Sequence, residues 1–200
     1  DAEFSAYDIV NDYKEDELVR IFSEYGEERF SKRIAKKIAE KRKTAKIVTT
    51  QELVDIIFEA TPRIKSKIHP ATRVFQAIRI EVNHELDVLE NALESALELI
   101  NVGGRVCVIT FHSLEDRIVK NVFKKHSEID SKFSKLPFVP EEYMPKYKIV
   151  CKGITASNKE LAENNRARSA RLRVIERIKD WYYGKEKESN KKESSWKSLI

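Results

Sequence analysis

Glycine, cysteine and methionine are scarce in this sequence, whose 200 residues include five glycines, two cysteines and one methionine. No glycine-rich dinucleotide or phosphate loop, no H-E-x-x-H helix and no paired-cysteine motif occurs, which excludes the common sequence signatures of nucleotide and zinc sites. Cys107 and Cys151 each lie among apolar, β-branched residues and have no second ligand at metal-like spacing. They predict reduced thiols in the core, and no metal site.

Long apolar runs are also lacking. Without a run of about 18 apolar residues or a basic-then-apolar leader, the sequence predicts neither a membrane span nor a signal peptide, and it favours a cytoplasmic location. The chain begins at Asp1 rather than at a methionine, and we expect it to be part of a longer protein. Its 38 basic and 33 acidic residues leave a net charge of only +5, so any attraction to nucleic acid must come from local clustering.

The first part of the chain has helical periodicity. Apolar residues recur three or four apart between Leu18 and Tyr25 and again between Phe30 and Ile38, with Gly26 separating the two runs. Thr49 and Glu52 have the spacing of a capping box before a third helix, which Pro62 ends. These patterns predict a small helical unit. Its second helix carries seven basic residues from Lys32 to Lys43, which we interpret as a solvated face.

The second part of the chain alternates helix and strand patterns. Pro70 is placed as the first residue of a helix, and a strongly amphipathic helix follows from Asn83. The apolar run in "NVGGRVCVITF" predicts a strand buried on both faces of a parallel sheet, and "KYKIVCKG" and "ARLRVIER" predict two further strands. The fold class is therefore α/β.

The stretch "TFHSLEDR" joins the first predicted strand to a helix. Phe111, His112 and Ser113 follow the carboxyl end of the strand, where α/β sheets place their ligand crevice, so they are the catalytic candidates. Ser113 and Asp116 also have the spacing of a capping box, which does not need His112. No nucleophile and base set accompanies them, so a hydrolase triad is not predicted.

Two basic clusters are candidate nucleic-acid contacts, since guanidinium and amide groups suit phosphate and base contacts. The alternative for the first is a solvated or salt-bridged helix face, and for the second an exposed strand whose arginines pair with the acidic loop. The first cluster comprises His69, Arg73, Gln76 and Arg79, and the second comprises Arg166, Arg168, Arg171 and Arg173.

Four long motifs, in this order and spacing, resemble the RsmH (MraW) family of S-adenosylmethionine-dependent methyltransferases. They are "YGEERFSKRIAKKIAE", "HPATRVFQAIRIEVNHEL", "GGRVCVITFHSLEDRIVK" and "ENNRARSARLRV", and the resemblance runs from about residue 5 to residue 178. It implies methylation of the exocyclic amine of a cytidine in bacterial 16S ribosomal RNA. The implied cofactor is S-adenosyl-L-methionine, and the implied partner is ribosomal RNA or the small ribosomal subunit; a homodimer of the parent protein is also allowed.

The resemblance also implies a domain organisation. Residues 1–80 resemble a helical insertion that recognises RNA, residues 81–178 resemble the C-terminal half of a class I methyltransferase (Rossmann-like) sheet, and residues 179–200 form a charged tail that we expect to be disordered. The family's N-terminal half, with its glycine-rich cofactor loop, has no counterpart in this sequence. We therefore expect no cofactor-binding residue in this chain, no measurable S-adenosylmethionine binding and no activity of this part alone.

Two further expectations follow. His112 and Ser113 would orient the cytidine or shape the crevice, since methyl transfer needs alignment more than acid or base groups. A partial sheet would expose an unpaired edge strand, which favours association. The alternative function is a non-enzymatic RNA-binding module, or an inactive remnant of the enzyme.

Overall fold

The computed structural model describes residues 4–62, 69–133 and 136–179. The chain divides into two compact units, Asp1–Asp87 and Val88–Ile200, which we call the helical unit and the sheet unit. The sequence-based boundary lay near residue 80, and the roles assigned to the two regions stay predictions. The expected disordered tail lies, from residue 180 onward, outside the described residues.

Five helices belong to the helical unit. They are α1 (Ala6–Asp12), α2 (Glu15–Glu24), α3 (Ser31–Lys41), α4 (Thr50–Ala60) and α5 (Thr72–Asn83). The predicted three helices are confirmed as α2, α3 and α4, and their core includes Phe22, Ile34 and Ile57, all fully buried. The predicted capping box of α4 is also confirmed: the Glu52 amide donates to Thr49 Oγ1 over 3.2 Å, and the Glu52 carboxylate accepts from the Thr49 amide over 2.9 Å.

Helix α1 escaped the sequence analysis because it is only seven residues long. A buried amide fixes it: Asn11 Nδ2 donates to the Ile47 carbonyl over 2.8 Å, and the Ile47 amide donates to Asn11 Oδ1 over 2.9 Å. This pair satisfies both polar groups of a buried side chain, as burial requires. It ties α1 to the segment that precedes α4.

The start of α5 differs from the prediction. Pro70 lies in a turn, closed by a 3.0 Å hydrogen bond from the Thr72 amide to the His69 carbonyl, and the helix begins at Thr72. Near this end, α5 comes very close to Gly26, which follows α2. A Cβ atom at Gly26 would lie 2.7 Å from the carbonyl oxygens of both Arg73 and Phe22, closer than real side chains approach.

The remaining elements form the sheet unit, with α6 beginning just before it. They are α6 (Glu85–Leu99), β1 (Arg105–Thr110), α7 (Ser113–Ser127), β2 (Tyr147–Thr155), α8 (Asn158–Glu163) and β3 (Arg171–Arg177), with short 3-10 turns at Glu141–Tyr143 and Asn165–Ser169. All three predicted strands are confirmed. The fold class is mixed helix and strand, built around a small three-stranded sheet.

The prediction of a parallel sheet buried on both faces is wrong for these strands. The strand order is β1-β3-β2, and β3 pairs antiparallel with both neighbours, from Arg105 opposite Glu176 to Thr110 opposite Arg171 on the β1 side. Helices α6 and α7 cover one face, where Val106 and Val108 pack against them. On the other face Ile109 is 58% exposed. β1 therefore has the alternating burial of a strand covered on one side.

Because one face of the sheet is uncovered, neither cysteine is the fully buried core thiol that the sequence predicted. Cys107 points to the uncovered face and is exposed, while Cys151 is half-buried and lies 3.4 Å from the Leu172 carbonyl oxygen. Both are free thiols. The helices among the described residues are too short or too polar to span a lipid bilayer.

Candidate functional site

A pocket opens where β1 passes into α7. Its volume is about 410 Å³. It is lined by Thr110, Phe111, His112, Ser113, Asp116, Arg117, Lys120, Ser169 and Arg171, and we call it the strand-end pocket. The predicted catalytic candidates Phe111, His112 and Ser113 thus share one cavity with Arg171 of the second basic cluster. The ring of Phe111 is 55% exposed.

The cap of α7 is formed by different residues from those predicted. His112, not Ser113, is the N-cap: its Nδ1 accepts from the Glu115 amide over 3.4 Å. Glu115 Oε2 in turn accepts from the amides of Phe111, over 2.8 Å, and His112, over 3.3 Å. Ser113 is already the first helical residue, so the predicted Ser113–Asp116 box is one position too late. His112 has a structural task, contrary to our expectation that the cap does not need it.

Glu115 is strongly stabilised in its charged form. Burial opposes the charge, but hydrogen bonding from His112 and from the Phe111 amide outweighs it and lowers the pKa of Glu115 from 4.5 to about 2. The Glu115 side chain is one-quarter exposed. The carboxylate therefore contributes folding free energy that a neutral group would not.

Replacing Glu115 by glutamine is expected to lower the free energy of unfolding at pH 7 by about 2 kcal/mol, allowing for screening by solvent. Because the folded-state pKa is lowered, this stabilisation is complete above pH 4.5 and is lost as the pH falls toward 2. Denaturant unfolding at pH 7 and pH 3 measures the difference between the two proteins. Glu128→Gln, an exposed carboxylate at the other end of α7, is the control. A difference that stays constant with pH would contradict the assigned pKa.

Asp116 joins α7 to the central strand instead of capping the helix. Its Oδ1 accepts from Arg173 Nε over 2.7 Å and its Oδ2 from Arg173 Nη2 over 2.9 Å. Arg173 also donates to the Lys152 carbonyl of β2, and its side chain is only 9% exposed. The hydrogen bond from Arg173 lowers the pKa of Asp116. A buried, bidentate pair of this kind fixes geometry.

The second basic cluster is therefore divided. Arg173 is buried and held by Asp116, so its guanidinium is not presented to a nucleic acid. Arg171 lies 3.4 Å from Asp116 but is 47% exposed and lines the strand-end pocket. Arg166 and Arg168 are exposed on the 3-10 turn before β3 and do not line this pocket. Where these arginines have an acidic partner, it is Asp116 on α7, not the acidic loop.

The first basic cluster makes contacts within the helical unit. Arg73 Nη1 donates to the Glu27 carbonyl over 2.9 Å, and Gln76 Nε2 donates to the Tyr25 carbonyl over 3.0 Å. Arg79 forms a bidentate pair with Glu85 at 2.8 and 2.9 Å. His69 accepts from the Ala71 amide over 3.3 Å and its ring lies edge-on to Phe58. The salt-bridged alternative describes Arg79, and hydrogen bonds to carbonyls hold Arg73 and Gln76.

Four residues of the strand-end pocket were missed by the sequence analysis: Thr110, Arg117, Lys120 and Ser169. Arg117 and Lys120 follow Ser113 by four and seven positions, so all three share one face of α7. That helical spacing was a readable signal. Ser169 could not have been found this way, because only the pairing of β3 with β1 brings it near.

The described residues offer no obvious metal centre: in the ranges that the structure describes, no three His, Cys, Asp or Glu side chains are grouped to hold an ion. The sequence matches the model of the MraW methylase family over residues 1–178. That match covers both units of the described structure. The chain belongs to the MraW methylase family, and its family chemistry is methyl transfer.

Proposed function

We propose that this chain is the RNA-facing part of an S-adenosylmethionine-dependent enzyme that methylates the exocyclic amine of a cytidine in small-subunit ribosomal RNA. Family membership supports methyl transfer. The observation that carries the choice of RNA is the strand-end pocket, where the exposed ring of Phe111 lies among Arg117, Lys120 and Arg171.

This combination suits a base and its phosphates. Proteins that read single-stranded RNA stack splayed bases on aromatic rings, each worth about 1–3 kcal/mol, and hold the backbone with cations. An enzyme that modifies a base must also take it out of its stack. Phe111 would supply the stacking surface, and the three cations would hold flanking phosphates. The negative charge of Asp116 is offset by Arg171 and Arg173.

The cofactor does not fit the strand-end pocket. S-adenosylmethionine carries a positively charged sulfonium and an ammonium against one carboxylate, so its net charge is positive, and the cationic lining would repel it. The β1–α7 turn also contains no glycine that would let a main chain approach such a ligand closely. We therefore assign the pocket to the substrate and derive no methyl-transfer step from it.

The finer fold assignment is also a proposal. We propose that β1, β2 and β3 belong to a Rossmann-like methyltransferase sheet. In its support, β1 and β2 run in the same direction, and large parallel sheets commonly include an antiparallel strand. Among the described residues, β1 pairs on one side only, which leaves an edge where further strands could pair.

Deletion of the gene in the source organism tests the proposed function. We expect N4-methylcytidine to disappear from small-subunit ribosomal RNA, as measured by mass spectrometry of its nucleosides, and the wild-type gene to restore it. A gene carrying Phe111→Ala and Arg171→Gln should restore little, whereas Phe138→Ala, an exposed ring outside the pocket, should restore it fully. Persistence of the modified nucleoside after deletion would refute the methylation and favour a non-enzymatic RNA-binding module.

A further inference from the structure

A second group of cations lies in the helical unit, at the start of α3. Arg29 in the preceding turn and Lys32, Arg33 and Lys36 in the helix are all exposed. We call these four residues the α3 cationic face. In residues 4–62, 69–133 and 136–179, none of the four forms an ion pair with a carboxylate, although Arg33 lies 5.8 Å from the centre of the Phe30 ring.

Three other basic side chains of this region, those of Lys37, Lys41 and Arg42, are engaged within the unit. Lys37 and Lys41, on the next side of α3, pair with Glu59 of α4 at 3.2 and 3.6 Å. Arg42 donates to the main-chain carbonyl of Val10 over 2.9 Å. These three cations therefore have partners within the helical unit, whereas the described residues supply no carboxylate to the four residues of the α3 cationic face. Glu40 lies one turn beyond Lys36 on the same side, yet no contact within 4.0 Å joins them in the described structure.

The α3 cationic face is unfavourable for the helix itself. Lys32 and Arg33 lie in the first turn, where the helix dipole favours acidic residues, and that turn contains none. Lys32 and Lys36 are four apart, which places like charges next to each other. Phe30 at the N-cap supplies no side-chain hydrogen bond. Each of these features costs a few tenths of a kcal/mol, which a bound anion would offset.

We propose that the α3 cationic face binds the phosphate backbone of RNA. The choice of RNA over other polyanions rests on the proposed function, whereas the preference for an anion rests on the charges alone. The buried side chains of α3, including Ile34, Ala35 and Ile38, fill the opposite side of the helix, so the cations lie on its outer surface. Cations on one side of a rigid helix give salt-dependent binding without base specificity.

The test compares two triple variants of this chain with equal changes in net charge. Lys32→Gln, Arg33→Gln and Lys36→Gln remove the exposed cations, while Lys37→Gln, Lys41→Gln and Lys46→Gln remove cations that pair with Glu59 and Asp12. The probe is fluorescently labelled small-subunit ribosomal RNA, titrated at several salt concentrations. Far-UV circular dichroism verifies that each variant keeps its helices.

We expect the first variant to bind RNA on the order of 100-fold more weakly at 0.1 M salt, and the slope of log affinity against log salt to fall by about two to three. This follows from about 0.7 per phosphate for single strands and about 0.9 for duplexes. The control variant should change the slope by less than one. Equal effects of the two variants on RNA affinity, or no effect of either, would overturn the proposal. It would also be overturned if the first variant kept its RNA affinity but lost binding to phosphatidylserine vesicles.

This result is independent of the gene-deletion experiment. If N4-methylcytidine survives deletion but the α3 variant loses RNA binding, the methylation assignment fails while the RNA contact holds. If methylation disappears on deletion and the variant binds RNA normally, the contact at α3 is wrong and the enzyme assignment is untouched.

Discussion

Replacing Asp116 by alanine is expected to lower the free energy of unfolding of the sheet unit by about 3–4 kcal/mol. The substitution leaves Arg173 in place, with a side chain that is 9% exposed and has lost both carboxylate oxygens. Breaking a buried pair is costly because the remaining charge stays in a poorly solvated place. Denaturant unfolding, with hydrogen exchange of the β3 amides as a local measure, reports the loss.

The matched controls separate the buried charge from simple loss of a side chain. Glu128→Ala removes the carboxylate of an exposed pair with Lys124 and should cost less than about 1 kcal/mol. Removing both partners, with Asp116→Leu and Arg173→Met, should recover much of the stability, since no unpaired charge remains. If the double substitution is as damaging as the two single ones together, the buried pair is not the cause.

Gly26→Ala is expected to destabilise the helical unit by about 3 kcal/mol. The added methyl group would meet two carbonyl oxygens, of Phe22 and Arg73, at 2.7 Å. Both are main-chain atoms in or beside helices, so neither can turn away as a flexible side chain would. Overpacking of this kind costs about 1–3 kcal/mol, and the two contacts place Gly26 at the upper end.

Hydrogen exchange locates the effect. Protection of the α5 amides near Arg73 should fall, because the end of α2 and the start of α5 must move apart. Ser23→Ala, an exposed position on α2 whose hydroxyl bonds only to main-chain carbonyls of its own helix, should leave protection unchanged. Normal α5 protection in Gly26→Ala would show that this approach of the two backbones does not constrain the unit.

Local patterns predicted the elements well, and pairing explains most of the errors. The helices α2, α3 and α4 and all three strands follow from periodicity and caps, which are properties of neighbouring residues. The antiparallel position of β3 does not, because the choice of partner depends on residues some 70 positions away: Arg105 pairs with Glu176, 71 residues further on. The exposure of Cys107 follows from that arrangement, so local sequence patterns could not predict it either.

The candidate site was predicted in part. The position of Phe111 at the end of a strand follows from the sequence, and the structure places it in a pocket. The predicted cap was wrong by one residue because the His112 ring accepts a hydrogen bond as a serine hydroxyl does. Glu115, not Asp116, then accepts from the Phe111 amide. Asp116 was misassigned because its true partner, Arg173, lies 57 residues away in the chain.

The position of β3 also orders events during synthesis. β3 lies between β1 and β2, yet it follows both of them in the chain. Proteins emerge from the ribosome at about 5–20 residues per second, and N-terminal regions fold first. The helical unit can therefore close while translation continues, whereas β1 and β2 wait with unpaired main-chain groups until Arg171–Arg177 has emerged. During that interval the main-chain groups of the two strands are open to pairing with other chains, which is a route to aggregation.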